Sequence, residues 1–115
     1  MRIAAALLLT LAACQMQEDQ LGGEPAPASF VCAGGDHFAV NYGMEGETPS
    51  ATLTMANGET FLLLAEPAAR GARYGWPSDG TNYVLLTKGQ DATLLLKDGS
   101  RGGVETPVQT DCKLQ

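Results

Sequence analysis

The 115-residue sequence has one histidine, three cysteines and only seven basic residues, and each scarcity excludes a class of function. His37, the sole histidine, lies in a Gly-Gly-Asp-His turn, so no Ser–His–Asp set is visible and a solvated surface role is expected. No Walker-type loop is present, and Gly34-Gly35 lacks a phosphate-binding context. The 13 carboxylates are scattered, mostly at turns or in a polar N-terminal stretch. We therefore expect a protein that is not an enzyme and has no catalytic residues.

The shortage of basic residues bears on partners. The formal charge is −6, whereas a nucleic-acid binder normally carries a basic stripe. We expect no nucleic-acid partner and favour a basic protein instead, because opposite net charge speeds encounter. Two distant cysteines and one histidine also make a poor zinc set, so no metal or other cofactor is expected.

The N-terminus has the pattern of an export signal. Met1-Arg2 precedes Ile3–Ala13, an apolar stretch much shorter than the roughly 20 residues of a membrane-spanning helix. Leu11-Ala12-Ala13-Cys14 resembles the bacterial lipobox, in which the cysteine is lipidated. The alternative is an ordinary signal peptide cleaved after Ala13, with Cys14 incidental. By the same resemblance, Gln15 favours an outer-membrane lipoprotein that faces the periplasm, anchored by acyl chains such as palmitate.

The odd number of cysteines fits this interpretation. If Cys14 carries lipid, Cys32 and Cys112 remain as a pair, and the oxidising periplasm favours a disulfide between them. Such a bond would close nearly the whole domain, and the chain-entropy model assigns it roughly 4–5 kcal/mol.

Three segments follow from composition. Residues 1–13 are predicted to be a signal peptide and 14–28 the lipidated cysteine with a flexible tether, because Gln15–Ala28 has Gly, Pro and acidic residues but no apolar period. Residues 29–115 are predicted to form one small domain.

The domain reads as short β-strands separated by turns. Phe38, Val40 and Tyr42 alternate onto one face, and Asn57-Gly58 predicts a hairpin with a type I′ turn. Strand-like runs are Phe30–Cys32, Phe38–Tyr42, Ala51–Ala56, Glu59–Ala65, Tyr83–Lys88, Ala92–Lys97 and Val104–Leu114. About eight strands at this spacing predict an all-β antiparallel barrel or sandwich. The leucine runs 62–64 and 94–96 indicate an inner core face with a partly covered outer face, or alternatively a lipid-binding patch.

Two segments carry a family resemblance. Arg70-Gly71-Ala72-Arg73-Tyr74 is followed by Tyr83–Gly89 with its Thr-Lys-Gly ending, and then by Gln90–Leu94. Together with Phe30, Cys32, Cys112 and the lipobox, this pattern resembles the MliC/PliC family of lysozyme inhibitors over most of residues 29–113. The resemblance implies an eight-stranded antiparallel β-barrel that blocks the active-site cleft of c-type lysozyme, a basic protein.

The resemblance also assigns residues to the contact with lysozyme. Lys88 suits an acidic cleft, because it is a compact charge with three donors on a flexible stem and stands beside the turn residue Gly89. Arg73 is expected to pair with an acidic neighbour and Tyr74 to pack, both supporting the loop. The implied lysozyme-binding residues are Lys88, Arg70, Gly71, Arg73, Tyr74, Thr87 and Gly89.

Arg70 departs from the family pattern, which has serine at this position. An arginine can replace the serine as a bidentate ligand of carboxylates. Alternatively, its bulk keeps the loop out of the cleft, and Trp76 or Ser78 in the following loop serves in its place. Arg70 and the leucine runs motivate a competing hypothesis, in which the protein is an envelope binding module for a small apolar ligand or an assembly partner.

Overall fold

The described chain forms a closed barrel of eight antiparallel strands. The computed structural model describes residues 26–78 and 80–115, so the predicted signal, Cys14 and most of the tether lie outside the described residues. The strands are β1 Ala28–Val31, β2 His37–Glu45, β3 Thr48–Met55, β4 Thr60–Glu66, β5 Ala72–Gly75, β6 Asn82–Lys88, β7 Asp91–Asp98 and β8 Val104–Leu114. Each strand pairs with the next, and β1 pairs with β8. This confirms the predicted fold class.

Alternation along the strands builds the core. Phe38 and Val40 on β2 are 2% and 0% exposed, as the period-2 pattern predicts for one buried face. Inside the barrel, these two side chains belong to a cluster with residues from six other strands. The core cluster consists of Phe30, Cys32, Phe38, Val40, Ala51, Leu53, Leu63, Leu85, Ala92, Leu94 and Cys112. In the part of the chain described, no helix has the length and apolar character to cross a membrane.

The leucine runs divide between the two faces of the wall. Leu63 and Leu94 are fully buried in the core, and the flanking Leu62, Leu64 and Leu96 are partly exposed. A core face with a partly covered outer face is therefore the arrangement that the structure has.

The hairpin at Asn57-Gly58 forms, but its predicted turn type is wrong. The N–H of Met55 bonds the carbonyl of Glu59 at 2.8 Å, so three residues, 56–58, form the loop. Only Gly58 has positive φ, at 91°, whereas a type I′ turn needs two such residues. The Asn57 side chain accepts a bond from the N–H of Glu59 instead, and this local bond favours the longer loop.

Cys32 and Cys112 form the expected disulfide. It lies where the barrel closes, beside the short ladder in which Phe30 pairs with Leu114 and Val31 with Lys113. The N–H of Gln115 adds one bond to the carbonyl of Ser29, at 2.9 Å. The covalent link therefore reinforces the shortest seam in the barrel.

The up-and-down topology sorts the connections between two ends. Turns β2–β3, β4–β5 and β6–β7 lie at one end of the barrel, which we call the motif end. The C-terminus lies there as well, since the N–H of Leu114 bonds the carbonyl of Gln90 at 2.9 Å. Turns β1–β2, β3–β4, β5–β6 and β7–β8 lie at the opposite end.

Candidate functional site

The two segments that carry the family resemblance, Arg70–Tyr74 and Tyr83–Leu94, meet at the motif end. We call them the motif segments. Ala72 pairs with Thr87 across β5 and β6, which places Gly71 against the end of β6. A Cβ atom added at Gly71 would lie 2.1 Å from the carbonyl oxygen of Thr87 and 3.2 Å from the Cα of Lys88. Gly71 also has φ of +62°. Both the close approach and the backbone angle therefore require glycine, which explains this residue of the motif.

Lys88 occupies the end of β6, where the chain turns into β7. Gly89 takes the first turn position with φ of +60°, as a type II′ hairpin turn requires. Asp91 pairs with Lys88 across the hairpin, but its carboxylate accepts a bond from Nζ of Lys113 at 2.5 Å. Lys88 is exposed and forms no ion pair with another described residue. Its ammonium group is consequently available to an outside carboxylate.

Arg70 stands beside Lys88. Both residues line one hollow of about 160 Å³, whose other lining residues are Leu86, Thr87, Asp91, Ala92 and Thr93. Arg70 is exposed and is not part of any ion pair within residues 26–78 and 80–115. The fold therefore brings two cations to one site, although one is in the β4–β5 loop and the other at the β6–β7 turn.

Arg73 is directed to the outer face of the wall and is held by two carboxylates. Its Nε donates to Oε1 of Glu66 at 2.8 Å, and Nη1 donates to Oε1 of Glu105 at 2.9 Å. Nη2 donates to the other oxygen of Glu105, which completes a bidentate pair. The bonds that Arg73 donates to Glu105 are the main reason why the pKa of Arg73 is raised, and the same bonds lower the pKa of Glu105. The expected ion pair is present, and each of the three guanidinium nitrogens donates one bond to a carboxylate.

A small apolar cluster accompanies this ion pair on the outer face. Val84 on β6 and Leu95 on β7 pair in register and are 1% and 9% exposed, yet neither belongs to the barrel core. They lie on the two strands between Arg73 on β5 and Glu105 on β8. The Arg73–Glu105 bridge therefore joins the strands on either side of this apolar pair.

Tyr74 faces inward, next to Arg73 but on the opposite side of the wall. It packs against the core and against the ring of Tyr42, with ring centroids 5.7 Å apart and planes at 51°. Burial and the neighbouring Tyr74 raise the pKa of Tyr42, and an interaction with the Thr87 side chain partly offsets them. Tyr42 thus packs against the segment that contains Arg70 and Tyr74. Sequence reasoning placed it only on the core face of β2, and no motif signalled its position at the site.

Trp76 and Ser78 do not lie at this site. Both belong to the β5–β6 connection, at the opposite end of the barrel from Lys88. Nζ of Lys97, near the end of β7, donates to the carbonyl of Ser78 at 3.3 Å, which fixes the loop there. The idea that either residue replaces the family serine is therefore wrong. The cause is the four-residue strand β5, Ala72–Gly75, which the sequence pattern did not reveal.

No group of three or more His, Cys, Asp or Glu side chains among residues 26–78 and 80–115 is arranged to hold a metal ion. His37 is exposed at the start of β2, as expected of a surface histidine.

Comparison with known proteins gives one match. The family model for MliC, described as membrane-bound lysozyme-inhibitor of c-type lysozyme, matches residues 30–101, more than half of the chain. That range contains both motif segments, the six strands β2 to β7 and the second half of β1. No curated protein and no solved structure matches the chain.

Proposed function

The chain belongs to the MliC family of membrane-bound inhibitors of c-type lysozyme, and we propose that it inhibits by inserting its motif end into the lysozyme active-site cleft. The observation that carries the proposal is the pair of exposed cations, Arg70 and Lys88, which line one hollow and form no ion pair within the described chain. The family is one of inhibitors rather than enzymes.

The chemistry of the cleft explains why two cations are useful. A lysozyme cleft contains two catalytic carboxyl groups, one protonated and one ionised. Lys88 would donate to the ionised carboxylate as a point charge, and the guanidinium of Arg70 would bind a carboxylate through two parallel bonds. Gly71 and Gly89 stand beside these cations, and because glycine has no side chain they add no bulk to the part of the barrel that would enter the cleft. Arg73 supports the loop rather than entering the cleft, because bonds to Glu66 and Glu105 hold its guanidinium against the outer face of the wall.

Net charge supports the same partner. The chain carries −6 in total, and a strongly basic lysozyme would be attracted over a distance before contact. Such attraction acts mainly on the association rate and weakens as salt shortens the screening length to about 8 Å at physiological ionic strength.

The membrane-bound character of the family fits an envelope protein, and we propose that Cys14 is the anchor. Cleavage before Cys14 and its acylation would make the protein an outer-membrane lipoprotein facing the periplasm. Metabolic labelling with a palmitate analogue should label the wild-type protein but not Cys14→Ser. Equal labelling of both would rule out this anchor.

The central test uses lysis of bacterial cell walls by hen-type lysozyme. A several-fold molar excess of the wild-type protein should suppress lysis. Lys88→Ala should lose most of that inhibition, because truncation of a desolvated interfacial charge costs about 2 kcal/mol or more, roughly 30-fold in affinity. Arg101→Ala is the matched control, since it removes an exposed cation at the opposite end of the barrel. Undiminished lysis with the wild-type protein would contradict inhibition itself. Full activity of Lys88→Ala would contradict the assigned role of Lys88.

Arg70 requires a separate pair of variants. If Arg70 is a carboxylate ligand, Arg70→Ala should weaken binding about 10-fold, the usual scale for loss of a charge-assisted hydrogen bond. Arg70→Ser restores the family residue and should recover part of the loss. Isothermal titration with lysozyme measures all three proteins. Tighter binding by Arg70→Ala than by the wild type would show that the arginine hinders entry.

The competing binding-module hypothesis has less support. The barrel interior is occupied by the packed core cluster, including Phe38, Leu53 and Leu85, which are at most 2% exposed. A tightly packed interior is the arrangement that counts against an apolar ligand held inside the barrel.

A further inference from the structure

β2 ends in apolar side chains that the barrel does not cover. Phe38 and Val40 are buried, and Tyr42 and Met44 continue the same face of the strand but are 46% and 60% exposed. The exposure has a local cause. On β3 their partners are the small residues Ala51 and Pro49, which offer little surface to cover them.

On the other flank of β2, the described part of the chain pairs with this strand only as far as Val40. β1 begins at Ala28, which pairs with Val40, and Pro27 stands before it. Proline has no backbone N–H to donate to β2, and the described part of the chain has no strand before Ala28 to pair with residues 41–45. Tyr42 and Met44 therefore form an exposed apolar lip at the motif end. Adjacent exposed apolar side chains of this kind commonly mark an interaction surface.

The lip is continuous with the candidate site. The ring of Tyr42 lies 5.7 Å from that of Tyr74, which ends the segment whose first residue, Arg70, lines the hollow with Lys88. We propose that the lip formed by Tyr42 and Met44 is a third element of the lysozyme-binding surface, packing on a wall of the cleft while Lys88 and Arg70 reach its carboxylates. This inference rests on the proposed function.

The charges around the lip favour a lysozyme over other partners. Exposed Glu45 and Glu47 border the lip in the β2–β3 turn, while the cations Arg70 and Lys88 lie in the two neighbouring turns at the same end. A basic protein with an acidic cleft presents the complementary pattern, with carboxylates at the centre and positive charge around them. Tyrosine is also among the residues that most often dominate binding energy at interfaces.

Affinity measurements with lip variants test the proposal. Tyr42→Ala should weaken binding to lysozyme about 10-fold or more, and Met44→Ala about 3-fold or more, with little change in thermal unfolding. Tyr42→Phe keeps the ring and should bind nearly as the wild type. Val104→Ala is the matched control, because Val104 is 47% exposed at the opposite end. It should stay within about twofold of the wild type, the range of peripheral substitutions.

An NMR spectrum of the methionine methyl groups tests the proposal on the wild-type protein, so the result does not depend on whether a variant folds. In the ¹³C-methyl-labelled wild-type chain, lysozyme should shift the Met44 signal and leave that of Met55, which packs against the core, near its original position. Two results would contradict the proposed role of the lip and leave the proposed function intact. One is an unchanged Met44 signal, and the other is lip variants that bind within about twofold of the wild type while Lys88→Ala binds more weakly. Absence of binding by the wild-type protein would overturn both.

Discussion

At Arg73, three nitrogen atoms of one guanidinium bond two carboxylates from different strands, β4 and β8. The pKa of Glu105 is lowered in the folded state, chiefly by its bond with Arg73. The ionised form of Glu105 therefore stabilises the fold above its ordinary pKa of 4.5, and this contribution is lost as the pH falls through the lowered folded value.

Glu105→Gln should separate this effect from other causes of acid unfolding. At pH 7 the variant should be about 1–2 kcal/mol less stable in denaturant titrations, because one charge-assisted pair with Arg73 is lost. The difference from the wild type should shrink on acidification below the ordinary pKa. Glu47→Gln, at an exposed turn position with no ion pair to another described residue, should match the wild type at every pH. A constant difference between Glu105→Gln and the wild type would contradict the titration.

Single residues at the site were predictable where a motif carries them. Lys88, Arg70 and Gly71 were picked out by the Thr-Lys-Gly and Arg-Gly-Ala-Arg-Tyr segments, and the fold brings all three together. Tyr42 was not predicted as a site residue. Alternation along β2 predicts that Tyr42 is buried, and it cannot reveal that the neighbouring residues on β3 are too small to cover the ring.

At the scale of elements, the β4–β5 loop and the β6–β7 turn depend on one close contact. Gly71→Ala should cost about 2–4 kcal/mol, since a Cβ meets the carbonyl oxygen of Thr87 and the backbone angle disfavours alanine. Inhibition should weaken as well, because Thr87 and Lys88 must shift to make room.

Gly46→Ala provides the matched control for this prediction. Gly46 has φ of +63°, nearly that of Gly71, but a Cβ there would have nothing within 4 Å. Its alanine variant should lose only about 1 kcal/mol, the cost of the backbone angle alone. Equal losses at both positions in urea unfolding would show that the contact with Thr87 adds nothing.

Turn chemistry and alternation were sufficient to place most strands, but not all. The β3–β4 hairpin was predicted from Asn57-Gly58, although a side-chain bond from Asn57 gave it a longer loop. β5 was missed because four residues are too few for a period to show. Its pairing with β4 and β6 is set by tertiary contacts. The same pairing determines that Trp76 and Ser78 lie at the end of the barrel opposite Lys88.

For the whole molecule, the disulfide is the main reinforcement of barrel closure. The double variant Cys32→Ala/Cys112→Ala should be destabilised by roughly 4 kcal/mol, because the bond closes most of the domain and the β1–β8 ladder is short. Unfolding by guanidinium, with and without reductant, measures this. Reductant should lower the midpoint of the wild type and leave the double variant unchanged. If reductant leaves the wild-type unfolding midpoint unchanged, the β1–β8 hydrogen bonds are sufficient to keep the barrel closed without the disulfide.

The position of Cys32 also determines how the domain responds to mechanical load. For a domain held from its N-terminal side, as we propose, a pull on the chain first peels β1, which is only four residues long. The force then reaches Cys32 and passes through the sulfur bridge into β8. Further unravelling has to draw β2 and β8 out together, and the strands between them lie in a covalently closed loop. The hairpin that bears Lys88 belongs to this loop, so a pull between the two ends of the chain bypasses it through the disulfide.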